Sequence, residues 1–314
     1  MLKTCEPHPP STRGYNGPSM NTQPTARHFL LLALSAVCMC TSFIFVRLSG
    51  IGAVPLATYR LLLSALVTLP LFYLGWSKHQ PTGGWPLSLW RGCVAPGMAL
   101  GVHLILWNIG CRMTSAANGT LIVNLSPIAL PFALALFAKE RINRSELLGT
   151  LFALAGLGWL AFSDYQGSSR DHLLGDGVCL VAMLVLAAYL ALSRRSAPRF
   201  PNPWLFNVPV YGAAALTCAI WLLVTGAVWP PITNRDAWCL AGLVVFPTIL
   251  GHGLALMALS RMRGQIVGLF GAAQFIPAAF WGWLIFHEKP AASFVISASL
   301  VMVGVVCAIR SRGR

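Results

Sequence analysis

Two amides, Asn124 and Gln274, each stand three residues before a proline, Pro127 and Pro277, inside long apolar runs. Proline carries no N–H, so each ring leaves the carbonyl four residues earlier, on Val123 and Ala273, without its usual helical partner. An amide beside a freed carbonyl offers donors and acceptors together, which suits a zwitterion or a hydroxylated solute where water is excluded. The competing reading is that the amides tie neighbouring helices together. Asn118 lies two turns before Ser126 on nearly the same face, so these two could line one path. His103 and Trp107 are spaced i, i+4 and also share a face. His103 and His252 are the mid-run residues whose ordinary pKa lies near neutrality, so either could carry a proton or meet a carboxylate. Hydrogen-bonded packing is the simpler role for both. Tyr189 and Trp281 could wall a cavity, whereas Trp221 and Trp283 suit packing or lipid-facing places.

Arg60 is the sole permanent charge inside a run. By helical rise it stands about 9 Å from the helix end, so its long stem could snorkel to the interface. Direct contact with a substrate is the alternative. Other chemistries lack their parts. His287-Glu288 could open a zinc-protease pair, but Ala291 occupies the place of the second His. The sequence has no Gly-x-Ser-x-Gly, no Walker loop and no intramembrane Asp pair. Cys38 and Cys40 have no second pair or His beside them, so neither a metal nor a cofactor is expected.

Elements that could hold such groups at depth must be apolar over long stretches, and these are. Of 314 residues, 56% are apolar and 10% charged, against about 25% charged in an ordinary soluble domain. Runs free of Asp, Glu, Lys and Arg cover 28–46, 61–77, 92–111, 113–138, 147–163, 177–193, 200–234, 237–260, 264–287 and 290–309. The second extends back through Arg60 towards Pro55, and proline pairs confine the seventh to one helix near 204–228. A helix needs roughly 17 to 25 residues to cross the hydrocarbon. Continuous apolarity without alternation excludes barrel strands. The fold class is an all-α polytopic membrane protein with ten transmembrane helices.

Lys plus Arg number 22 and Asp plus Glu 8, a net charge of +14. With the N-terminus inside, sixteen of the basic residues fall in cytoplasmic segments. Five fall outside: Arg47, Arg112, Arg170, Arg235 and Lys289. That bias orients a cell (inner or plasma) membrane protein with both termini cytoplasmic. It also accounts for the basic balance without nucleic acid, since no basic stripe carries interleaved aromatics. Residues 1–27 are polar and rich in Pro, Ser, Thr, Asn and Gly, so a disordered cytoplasmic tail is expected, with Met1 or Met20 as its start.

Five spans per half make any duplication an inverted one. At an offset of 150, Gly101-Val102-His103-Leu104 meets Gly251-His252-Gly253-Leu254, Asn124 meets Gln274 and Pro127 meets Pro277. At 148, Glu140 meets Glu288 and Gly156 meets Gly304. The expected repeats are 28–164 and 174–310. Small residues at Gly149, Ala153, Gly156 and Gly158, and at Gly268, Gly271 and Ala272, predict close helix contacts.

The chain resembles the EamA family of the drug/metabolite transporter superfamily. The resemblance rests on Leu56-Ala57-Thr58-Tyr59-Arg60, Ser126-Pro127, Glu140-Arg141 and Gly149 to Gly158. In the second half it rests on Gly175-Asp176, Ser193-Arg194-Arg195, Pro277 and Glu288. Pro277 stands eleven residues before Glu288, against thirteen between Pro127 and Glu140. The resemblance implies a secondary transporter that exports small polar metabolites such as amino acids, by alternating access between the repeats. Substrate contacts are expected from Asn124, Gln274, His103, Trp107, Asn118, Ser126, His252 and Tyr189. Structural or gating roles are expected for Arg60, Pro127, Pro277, Glu140 and Glu288. An intramembrane enzyme or a non-transporting assembly protein is the alternative. The expected partners are a small-molecule substrate and the bilayer, with the chain a monomer or a homodimer. A sugar phosphate would ask for more buried Lys or Arg, and a lipophilic cation for an intramembrane carboxylate.

Overall fold

A computed structural model describes residues 25–79, 84, 86–114, 116–164, 170–226, 228–287 and 292–310. Most of the expected tail and Glu288 lie outside these residues, as does the side chain of Asn118. Every regular element among the described residues is helical. In chain order they form α1 (Ala26–Leu48), α2 (Ala53–Lys78), α3 (Leu87–Met113), α4 (Gly119–Ala138) and α5 (Arg144–Asp164). The second half holds α6 (Arg170–Ser196), α7 (Pro203–Val224), α8 (Asn234–Leu259), α9 (Gly264–Ile285) and α10 (Ala292–Arg310). Eight helical stretches among the described residues are long and apolar enough to cross a membrane, and the apolar part of α10, Ser293–Ile309, is shorter. Leu66, Val67, Phe132, Leu136, Phe162, Leu216, Leu223 and Val295 are exposed on the outside of the bundle. Apolar surface so widely spread suits lipid and not water. The chain is an all-helical, polytopic membrane protein.

Side-chain contacts sort the helix ends into two groups. At one end, Arg194 at the close of α6 meets Glu140 after α4, and Arg263 before α9 meets Glu146 at the start of α5. Trp76 of α2 stacks on Trp90 of α3, which in turn tilts against Phe200 after α6. At the other end, Arg112 at the close of α3 reaches carbonyls of the turn between α1 and α2, and Asp236 at the start of α8 accepts from the same turn. Successive helices in these contacts run in opposite directions. Lys139, Arg141, Arg144, Arg194, Arg195, Arg199, Arg261 and Arg263 all belong to the first group, which is therefore the basic end.

Helix pairing is dominated by α5 with α10, α3 with α6, α4 with α6, α1 with α8, α2 with α7 and α3 with α7. The α5–α10 pair is antiparallel and close because glycine permits it. A Cβ on Gly149 would collide with the Gly304 carbonyl, and one on Gly156 would lie 2.7 Å from the Ser297 carbonyl. Gly158 departs from the expected contact: it is exposed, with nothing within 4 Å of its missing Cβ. Two residues past Gly156, it lies on the other side of the helix. The α7 helix ends at Val224 and not near 228, because Gly226 turns the chain with φ 64°.

Four helices are interrupted near the middle of the bundle. The α1 helix breaks at Cys40–Thr41, α4 at Leu125 and α9 at Ala273–Gln274, while α8 runs as π-helix over Val244–His252. Pro127 and Pro277 follow two of these breaks and Pro247 lies within the π-segment. The carbonyl of Ala273 is not left free as the proline alone implied. It accepts from the Ile276 amide at 3.1 Å, because the break tightens into a three-residue turn that supplies another donor.

Candidate functional site: a cavity where the broken helices meet

A cavity of about 90 Å³ lies among α1, α2, α3, α4, α6, α8 and α9. Asn124, Gln274, His103, Trp107, Ser126, His252 and Tyr189 line it, and so does Arg60. The volume is room for several waters. Trp281 is absent from its wall; it packs against the apolar cluster around Phe43 and Leu243. Pro127 sits behind the wall, where its carbonyl accepts from Gln265 Nε2 at 3.2 Å. Trp221 and Trp283 are exposed on the outside of the bundle.

The amides are under-used by the protein. Asn124 is buried, yet its Nδ2 has no hydrogen-bond partner. The hydrogen bond recorded for Gln274 is a long one, 3.9 Å from Nε2 to Met39 Sδ. A helix-tying amide would show strong cross-helix bonds, and these do not. His103 Nδ1 donates to the Ala182 carbonyl of α6 at 2.9 Å. With the proton on Nδ1, a neutral ring keeps Nε2 as an acceptor. His252 makes no hydrogen bond among the described residues; its ring stands edge-on to Tyr189, with centroids 5.8 Å apart. His252 falls one position off the counterpart of His103. The π-segment that ends on it accommodates an extra residue per turn, and both rings reach the cavity.

Arg60 does not snorkel. Its side chain is 1% exposed and turned into the bundle, with Nε donating to Thr248 Oγ1 at 2.6 Å and Nη1 to Ser42 Oγ at 3.2 Å. Thr248 belongs to the π-segment and Ser42 follows the break in α1, so both interruptions contribute to holding the guanidinium. Thr248 in turn donates to the Leu243 carbonyl at 2.7 Å, and its own carbonyl accepts from Tyr211 at 3.1 Å.

The basic end is closed by a network that sequence reasoning missed. Glu140 stands after α4, past Lys139, whose backbone is left-handed at φ 55°. It accepts from Arg194 Nε at 2.9 Å and from the Gly264 amide at 3.1 Å, and Arg263 lies 3.8 Å away. Glu146 is fully buried and accepts from Arg263 at both oxygens. That bond holds the guanidinium of Arg263 above its already high ordinary pKa. Arg194 Nη1 also donates to the Leu259 carbonyl at 2.9 Å. At the opposite end, Asp236 accepts from Ser49 Oγ at 3.0 Å and Gly50 N at 2.8 Å, while Thr114 donates to Asp176 at 2.6 Å. Two capping boxes were the available signal: Asn143 with Glu146, and Thr233 with Asp236. In each, the capping acid also binds a partner from the other half of the chain.

Apolar helices broken around a central cavity that holds a few polar side chains are an architecture of secondary transporters. The chain belongs to the EamA-like transporter family, whose model matches twice, over residues 27–162 and 173–310. A WAT1-related protein of Arabidopsis thaliana is 25% identical over 296 residues, 84% of this chain and 80% of that one. A pseudopaline exporter of Pseudomonas aeruginosa, CntI, is 24% identical over 233 residues, 73% of this chain and 76% of the exporter. One solved crystal structure superposes with a TM-score of 0.70 at 16% identity, covering 91% of this chain and 97% of the other.

Proposed function

We propose that this protein is a secondary transporter that exports small polar metabolites such as amino acids by alternating access at the central cavity. The carrying observation is that polar side chains from both halves converge there without being consumed by each other: Asn124 and His103 from the first, Gln274 and His252 from the second. Ten membrane-crossing helices in two inverted repeats, 28–164 and 174–310, are part of this reading. Part of the helix pairing supports it: exchanging each helix with the one five places on maps α2–α7 and α5–α10 onto themselves and α3–α6 onto α8–α1, whereas the close α4–α6 pair has only a slight counterpart in α9–α1. The concentration of Lys and Arg at one end supports placing that end in the cytoplasm. Membership of a transporter family, with an exporter among the relatives, supports transport over enzymatic chemistry and supports the outward direction.

The cavity then lies between the ion-pair network on the cytoplasmic side and the Asp236 and Arg112 contacts on the other. The test is exchange of radiolabelled amino acids across liposomes containing purified protein, with and without an imposed pH gradient. Saturable exchange that Asn124→Leu and Gln274→Leu each lower at least about tenfold is the expected result. Absence of exchange for the whole panel, with those variants altering only thermal stability, would remove the reading. Orientation is checked separately with membrane-impermeant maleimide on Ser145→Cys, expected inside, and Asn234→Cys, expected outside. Seven of the described native cysteines are buried, so their background labelling is low.

A further inference from the structure

We infer that Arg60 is the anion-binding group of the cavity and that the transported solute carries a carboxylate that docks on it. This rests on the cavity being the transport site. The first argument is the company Arg60 keeps. Among the described residues the ion pairs involve only Arg194, Arg263, Glu140 and Glu146, all at the basic end, and none includes Arg60. A permanent cation at 1% exposure is thus held by neutral hydroxyls alone. Burying a charge without a counter-ion is costly, and a cation at such depth ordinarily has an acid beside it. Arg194 and Arg263 at the basic end do have one.

The second argument is a donor count. A guanidinium has five N–H groups. Thr248 takes the one on Nε and Ser42 takes one on Nη1. The remaining N–H on Nη1 and the pair on Nη2 are left over as charged donors that a carboxylate oxygen can accept. Thr248 gives its hydroxyl proton to the Leu243 carbonyl, so it meets Arg60 as an acceptor only. These hydroxyls fix where the guanidinium stands without cancelling its charge. Arg60 lines the same cavity as the unpartnered Nδ2 of Asn124, so a second donor for an anionic oxygen is available in the same space.

The experiment compares wild type, Arg60→Gln and Arg60→Lys in liposomes, in chloride-free methanesulfonate buffer. The panel is leucine and isovalerate, which carry a carboxylate, and leucinamide, isoamylamine and glucose, which do not. Wild type is expected to exchange leucine or isovalerate at least about tenfold better than the others, a difference that a charge-assisted pair readily supplies. Arg60→Gln should erase that preference, and Arg60→Lys should keep part of it. Folding of the variants is bypassed by a wild-type measurement. Phenylglyoxal modification of Arg60, read by mass spectrometry, should slow in isovalerate and not in isoamylamine. Chloride added back separately should not reproduce that protection, which distinguishes a solute carboxylate from a simple inorganic anion. Equal exchange by wild type of solutes with and without a carboxylate overturns the inference, as does an Arg60→Gln protein that keeps the preference. If solutes without a carboxylate pass equally well and Asn124→Leu blocks them, the transport reading stands and only the role of Arg60 falls. If nothing in the panel moves or protects and Asn124→Leu changes nothing, both fall.

Discussion

Arg194 Nε, at the end of α6, donates to Glu140 Oε2, just past α4, at 2.9 Å, and so links the second half of the chain to the first. The other oxygen of Glu140 receives the Gly264 amide at the start of α9, which makes this carboxylate the junction of three helices. Glu140→Gln removes the charge and leaves Arg194 facing a neutral amide. Both side chains are only 11–12% exposed, so the loss should be about 1–3 kcal/mol, between a surface pair and a fully buried one. The check is chemical denaturation or thermal melting in detergent. The double variant Glu140→Gln, Arg194→Gln should cost less than the sum of the single ones; strict additivity would mean that the pair is not coupled.

Asn124 and Gln274 should separate stability from transport. Asn124 Nδ2 has no partner to lose, so Asn124→Leu should leave the melting temperature unchanged or raise it, because an unsatisfied buried donor disappears. Gln274 surrenders only its long contact to Met39 and should behave alike. Exchange should nevertheless fall by roughly ten- to a hundredfold, the value of a hydrogen bond to a desolvated solute of about 1–3 kcal/mol. A drop in melting temperature with exchange intact would assign both amides to packing.

Glycine positions on α5 give an internal control. Gly149→Ala forces a methyl against the Gly304 carbonyl, and the two helices must part. Overpacking of this kind costs typically about 1–3 kcal/mol. Gly158→Ala meets nothing within 4 Å, and should be neutral or stabilising by up to about 1 kcal/mol through helix propensity. Equal effects at the two sites would contradict the α5–α10 contact.

The Arg263–Glu146 pair should ignore pH near neutrality. Hydrogen bonding to Glu146 raises the Arg263 pKa, and a raised cation contributes stability that is fully present below its unfolded value. The loss begins only as pH rises into a strongly alkaline range. Arg263→Gln should therefore lower the melting temperature by the same amount at about pH 6 and about pH 9, well below the arginine range. A difference between the two would show that another group titrates with the network.

What the sequence by itself determined is what depends on local composition. Runs of twenty apolar residues partition into lipid whatever their neighbours do, so the membrane helices and the basic bias of one end were legible. Proline acts on its own preceding turn, so a disturbed ladder near Pro127 and Pro277 was legible, though not the breaks themselves or the new donor that the Ala273 carbonyl finds. The ordered motifs carried the family. The cavity residues were also readable as polar groups at depth: Asn124, Gln274, His103 and His252 all reach the same space.

Only the tertiary structure decided which way a side chain turns and what it meets. Arg60 could have reached the interface; hydroxyls brought by α1 and α8 turn it inward instead. Gly158 belongs to the same small-residue string as Gly156 but faces outward, and Trp281 leaves the cavity wall to Tyr189. The partners of Glu146 and Asp236 lie 117 and 187 positions away, at Arg263 and Ser49. A capping box announces the helix start that such an acid serves, but nothing local records the second helix that packs against it. Rotation about a helix axis is set by contacts with distant segments and is reset wherever a break or a π-turn changes the phase.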